Sequence, residues 1–193
     1  MKITQKKLSN KHTYIFEEDS LNYLYEDKSG SDDLTLNYAD FPEKNSISIE
    51  QNEWLRNVGI LWGLLGIYQI GIAAINNYSL SGRGFWLVIG IICIIWYAFT
   101  KVKYSVFKTA AGNIFIIHDE HHNQIIAEIK SRRKKQLLNW YGEVNLENDL
   151  ESEINKFKWL VKQNVMSEQE AEEKIAQAEY VYKSEGKDKG SLN

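Results

Sequence analysis

Five consecutive residues, HDEHH at 118–122, gather side chains of the kind that bind zinc: His118, His121 and His122 carry imidazoles, Asp119 and Glu120 carboxylates. Zinc needs three or four such groups to converge on one point at about 2.0–2.2 Å. On a turn from strand to helix these neighbours are expected to splay apart, so the stretch reads as a solvated polar turn and no metal is assigned. The sequence contains no nucleophile elbow, phosphate-binding loop or paired-cysteine site. No cofactor is implied, and a non-enzymatic role is expected. The single cysteine, Cys93, lies in an apolar run, where it reads as a small packing residue and offers no intramolecular disulfide.

The elements that carry these residues are divided by hydrophobicity. A chain of 193 residues with 25% charged residues and net charge -3 is ordinary for a soluble protein. Between Val58 and Phe99, however, Arg83 is the only charge. Two apolar runs, Val58 to Ile75 and Phe85 to Phe99, flank the turn-forming stretch NNYSLSGRG. Neither run shows the polar face of a core helix, and each approaches the length of a membrane span. A transmembrane helical hairpin over 57–100 is therefore expected, with the shorter second run starting near Gly82 and reaching Thr100. Arg56, Lys101, Lys103 and Lys108 flank the runs while the connecting loop holds Arg83 alone, which places both termini in the cytoplasm. Trp54, Trp62, Tyr78, Trp86, Trp96 and Tyr97 lie near the ends of the runs, where aromatic rings favour the headgroup level. The N-terminal MKITQKKLSNKHTYIFEEDS has no apolar stretch of signal-peptide type, so the first span is expected to direct insertion.

On either side of the hairpin, hydrophobicity alternates with period two. HTYIFEED, SLNYLYED, DLTLNYADF and NSISIEQ read as short strands from His12 to Ile49, with KSGSDD as a turn and Pro42 at a strand edge. Alternation resumes in KYSVFKTAAGNIFIIHDEHHNQIIAEI, where AAGN and DEHHN read as turns. From Gln124 to about Tyr141 a helical pattern follows, with Ile125, Ile126, Ile129, Leu137, Trp140 and Tyr141 as an apolar stripe interrupted by SRRKK. Each strand set alone is marginal, so both together are expected to close one small antiparallel sheet capped by the helix. The fold expected is α+β: a membrane hairpin inserted in a small antiparallel β domain with a capping helix, then a C-terminal helical hairpin.

This order of elements, with LTLNYADFPEKNSISIE and GNIFIIHDEHHNQIIAEIKSRR as its most suggestive stretches, resembles the bacterial pleckstrin-homology-like domain. The resemblance covers 10–50 and 101–141, split by the hairpin. The C-terminal LESEINKFKWLVKQNVMSEQEAEEKIAQAEYVY places Ile154, Phe157, Leu160 and Val161 on one face, and Ser167 and Glu170 have capping-box spacing. This segment, 147–182, is similar to the short C-terminal helical hairpin called SHOCT. Asn164 stands where that pattern has a glycine, and Ala171 where it has an aromatic. The resemblance implies oligomerisation or partner docking, with Phe157, Leu160, Val165 and Met166 as the partner-binding residues. The tail from 183 to 193 reads as disordered.

Lys130, Arg132, Arg133, Lys134 and Lys135 form a basic cluster on the capping helix, expected to meet anionic headgroups at about 1 kcal/mol per residue. One cluster without interleaved aromatics is no nucleic-acid motif, and no nucleic acid is expected as partner. Gly59, Gly63 and Gly66 in the first run, with Gly90 opposite, read as the contact between the two spans, with a homodimer contact as the alternative. Together these features lead us to expect a non-enzymatic scaffold or regulatory interaction protein of the bacterial inner membrane. Its partners are expected to be membrane lipids and either another protein or further copies. The alternative is a two-span effector or immunity protein of bacterial conflict or phage defence.

Overall fold

The computed structural model describes residues 1–184, and these form an α+β structure with antiparallel sheets and five helices. Strands β1 (Lys2–Lys7), β2 (Asn10–Phe16), β3 (Ser20–Glu26) and β4 (Ser31–Asn37) make an antiparallel meander. Strand β1 lies ahead of residue 10, where the β domain was expected to begin. Its inward positions are Ile3 and Gln5, and an inward glutamine breaks the alternation that marks a strand. After Asn37 the chain leaves the sheet in a 3₁₀ turn, Tyr38–Asp40, instead of continuing as a strand through Phe41. Tyr38 is buried there and donates its hydroxyl to Glu17 O at 2.9 Å.

The second sheet crosses the apolar region. Strand β5 (Ser46–Glu50) precedes helices α1 (Glu53–Ile75) and α2 (Phe85–Thr100), and β6 (Val102–Lys108) and β7 (Asn113–Ile117) follow them. β5 pairs antiparallel with β6, from Ser46 opposite Val106 to Glu50 opposite Val102, and β6 pairs with β7. The chain on the two sides of the helices thus shares one sheet. The strands nevertheless make two sheets of four and three, where a single sheet was expected. Tyr14, Leu21 and Tyr23 of the first meet Phe107, Ile114 and Ile116 of the second in one core.

The open edge of β7 is capped by side chains. Gln5 reproduces the pairing of a strand: its Oε1 accepts from Ile117 N at 2.9 Å and its Nε2 donates to Ile117 O at 2.8 Å. One register step along, Tyr14 donates its hydroxyl to Phe115 O, and the Tyr23 hydroxyl accepts from Phe115 N at 3.4 Å. Burial pushes both phenol pKa values above the usual tyrosine range, so both stay protonated. Three side chains therefore satisfy backbone groups that an edge strand would leave orphaned.

Helix α3 (His122–Tyr141) covers this core with Ile125 and Ile129. It begins two residues before Gln124. Trp140 and Tyr141, expected in its apolar stripe, are exposed, while Arg133 and Gln136 take inward positions. Helices α4 (Leu150–Lys162) and α5 (Glu168–Ser184) pack on the end of α3. α5 continues to Ser184, past the expected limit at 182, and the rest of the expected disordered tail lies outside the described residues.

Replacing Gln5 by Leu keeps an apolar body of similar size but orphans Ile117 N and O. At about 1–3 kcal/mol for each unsatisfied buried group, the Gln5→Leu variant is expected to lose at least about 2 kcal/mol. Thermal unfolding in mild detergent reads this loss, and an unchanged transition would refute the capping role.

Candidate functional site

Three regions hold the residues that sequence reasoning singles out: the helical hairpin, the far end of α3 with the terminal helices, and the histidine turn.

α1 is long and apolar enough to cross a membrane, and it is the only described helix that is. α2 carries no charge but has 16 residues, about 24 Å at 1.5 Å each, against a hydrocarbon core of about 30 Å. It begins at Phe85, not Gly82, because Ser81–Gly84 form a turn with Gly82 at φ +76°. Ile60, Leu64, Ile67, Ile91, Ile95 and Phe99 project outward from the pair. The helices approach through glycine. A Cβ on Gly90 would lie 2.5 Å from Gly63 N and 2.9 Å from Gly59 O, and one on Gly66 would lie 2.4 Å from Leu87 N. A Cβ on Gly59 would meet the Ile94 side chain at 2.9 Å and Cys93 Cβ at 3.1 Å, while one on Gly63 would point into open space. Trp62 and Trp86 stack edge to face at 4.8 Å beside this contact.

The basic cluster is divided by the fold. Arg133 is 7% exposed; its Nε donates to Phe41 O at 2.7 Å and its other nitrogens to the Gln163 carbonyl and side-chain oxygen. Arg132 donates to Glu128 at 2.6 Å and to Glu17 O, and its guanidinium lies over the rings of Phe16 and Tyr38. Arg133 is buried in the structure and turned away from headgroups, contrary to the sequence expectation, whereas Arg132 is engaged within the chain but remains partly exposed. Lys130, Lys134 and Lys135 are exposed, but Lys135 lines a cleft with Glu18, Asp19 and Glu128.

Position also argues against a membrane contact by this cluster. Gln136 bonds Asp19 O and Ala39 N, which places this part of α3 at the Phe16–Leu21 end of the first sheet. The helical hairpin joins the opposite end, where Asn10 donates to Glu50 at 3.0 Å. Strand β2 separates these ends by about 20 Å, more than twice the screening length of about 8 Å.

Phe157, Leu160, Val165 and Met166 are buried in the chain's own core with Leu137 and Ala171. They dock α4 and α5 on α3, so the expectation that they bind a partner is corrected. The turn between α4 and α5 is built as its residues require. Asn164 adopts φ +55°, Val165 N donates to Leu160 O and Asn164 N to Val161 O, a Schellman cap. Ser167 and Glu170 form the reciprocal capping box, at 2.8 Å and 3.2 Å. Glu153 is buried, yet hydrogen bonds from Asn148, Lys156 and Asn145 outweigh its desolvation and hold its pKa low. Exposed aromatic side chains here include Trp140, Tyr141, Trp159 and Tyr180, with the Tyr141 and Trp159 rings edge to face at 5.8 Å.

The histidine turn does not splay completely. His118 and His122 stack with ring centroids 4.0 Å apart, and both Nε2 atoms meet Ser105 Oγ, at 3.0 and 2.9 Å. One hydroxyl proton serves one imidazole, so the other imidazole must donate. Burial, then His122 and Lys103, lowers the His118 pKa. His122 Nδ1 is 2.9 Å from Asn123 Oδ1, which completes a serine–histidine–amide relay in outline. Ser105 is only 2% exposed and both imidazoles occupy its oxygen, so the hydroxyl has no open approach for a substrate. Asp119 is engaged elsewhere, by Gln5 Nε2 and His121 N, and no three metal-ligating groups converge among the described residues.

His12 is a buried histidine that sequence reasoning passed over inside a strand. His12 Nδ1 and the Tyr23 hydroxyl share a hydrogen bond at 2.7 Å, and His12 Nε2 is buried with no hydrogen-bond partner among the described residues. No family model, curated protein or solved structure matches this chain.

Two outcomes are expected. Alanine favours helix over glycine by about 1 kcal/mol, so a loss on substitution at the hairpin contact reports the clash. Gly66→Ala and Gly90→Ala should lower the unfolding temperature in detergent, whereas Gly63→Ala should not. Equal behaviour of all three would refute the contact. Burial, opposed by Asp27 and Glu50, lowers the His12 pKa to about 4, so the unfolded chain takes up a proton first. The stability His12 contributes is complete above about pH 6.5 and declines as pH falls toward 4, by up to about 3 kcal/mol. His12→Phe should flatten that decline when unfolding is compared at pH 7.5 and pH 4.5; identical slopes would refute it.

Proposed function

We propose that this chain is a non-enzymatic membrane-anchored interaction protein: a pleckstrin-homology-like β domain interrupted by a two-span helical hairpin and followed by a SHOCT-like helical pair. The observation that carries the reading is the pairing of β5 with β6 across α1 and α2. Two helices whose outward faces are apolar leave and rejoin one sheet through junctions of two residues and one residue. That arrangement supports a folded domain held on one side of a bilayer. A short α2 fits a thinned or locally adjusted leaflet, which costs fractions of a kcal/mol per Å. Support for the family reading comes from the sheets of four and three strands closed by α3. In bacteria such a chain belongs to the inner membrane, with both termini cytoplasmic. Its partner or further copies meet the outward face of α3 and α4 at Trp140, Tyr141 and Trp159, since the inward face is already occupied.

The test is topology. In a Cys93→Ala background, single cysteines at Ser79 and Lys44 are probed with a membrane-impermeant thiol reagent on intact spheroplasts and on inverted vesicles. Labelling of position 79 from outside only and of position 44 from inside only, with the protein resisting carbonate extraction, is the expected result. A protein released by carbonate, or both positions labelled from one side, would overturn the reading.

A further inference from the structure

The β1–β2 turn, KKLSNK at 6–11, is built against the folded-state preference. Leu8 sits at its tip with φ +57° and is 57% exposed. A leucine in the left-handed region costs about 1–2 kcal/mol, where glycine or asparagine would fit freely. Neither the turn nor the core gains from a leucine there. Lys6, Lys7 and Lys11 surround it on the exposed surface.

The turn's place gives the leucine a use. Leu8 and Asn10 line an open cleft of about 830 Å³ together with Asn52 and Glu53 at the start of α1 and Trp96 and Thr100 near the end of α2. Trp96 lies about one helical turn, roughly 6 Å, farther along α2 from the β domain than Thr100. An indole at that depth marks the headgroup level of a span. Asn10 pins the turn to this end of the domain through Tyr104 Oη, at 2.7 Å, and Glu50. Lys28 of the β3–β4 turn borders the same cleft.

We propose that the β1–β2 turn is a third membrane contact, in which Leu8 enters the interface of the inner leaflet while Lys6 and Lys7 meet anionic headgroups. This inference rests on the membrane reading of α1 and α2. The turn takes the role that the sequence assigned to the cluster on α3.

In a Cys93→Ala background, Leu8→Cys and Val88→Cys are each labelled with an environment-sensitive fluorophore and reconstituted into vesicles of phosphatidylcholine with or without phosphatidylglycerol. Both sites are exposed, so folding is preserved. Expected are blue-shifted emission from position 88 in both vesicles and blue-shifted emission from position 8 that strengthens with phosphatidylglycerol. Shallow spin-labelled lipids should quench position 8. Lipid-like emission at 88 with aqueous emission at 8 would overturn this proposal alone. A position 8 signal indifferent to phosphatidylglycerol would overturn the anionic contact, and aqueous emission at both sites would overturn the membrane reading as well.

Discussion

Five residue pairs between β5 and β6 set the geometry of the molecule. They bring Glu50 opposite Val102, so the residues between must depart and return at the same edge. A chain that does so with two long apolar segments has to fold them into a hairpin, and the segments must then meet along their length. Glycine makes the close approach possible: where Gly90 faces Gly63, backbone rests against backbone. The three-stranded sheet that results would be marginal alone. Its exposed side is completed by the first sheet, through a shared apolar core and through the side chains that cap β7.

That capping explains why the two sheets act as one body. Gln5, Tyr14 and Tyr23 lie on strands of the first sheet, yet they hydrogen-bond the backbone of the second. Losing any one would leave a buried peptide group unpaired, a cost far larger than the net gain of an ordinary hydrogen bond. Arg133 plays the same part at the other end. It ties the loop at Phe41 to the turn after α4, and a guanidinium with several buried acceptors is worth more than neutral bonds. The terminal helices are thereby bound to the domain both by apolar packing and by a buried cation.

The apolar runs and most strands were legible because charge exclusion and period-two alternation are local signals. Strand β1 was hidden because its second inward position is a glutamine whose use depends on Ile117, more than a hundred residues away. Arg133 was misread for a related reason. It continues the stripe of Ile125 and Ile129 at helical spacing, but its charge argued for solvent, and only the carbonyls that receive it show otherwise. Phe157 and Leu160 gave a clear amphipathic face. Such a face shows that something will cover it, and the covering surface turned out to be α3 of the same chain. The histidines had the right composition to invite a metal, but Ser105, invisible to them in sequence, takes both imidazoles.

A consequence for function follows from the junctions. With two residues between β5 and α1 and one between α2 and β6, the β domain has little freedom to swing away from the helical pair. The hydrogen bond from Tyr97 Oη to Gln51 Oε1, at 2.8 Å, crosses these junctions and restricts them further. On the membrane reading, α4 and α5 are then presented at the far end of the β domain, about one strand length from the headgroups. Lysines there lie beyond the reach of the surface potential. On that same reading, the lysines of the β1–β2 turn are the ones close enough to feel the bilayer. The rigid core of Gln5, Tyr14 and Tyr23 thus holds the two lysine-bearing ends of the β domain at a fixed separation.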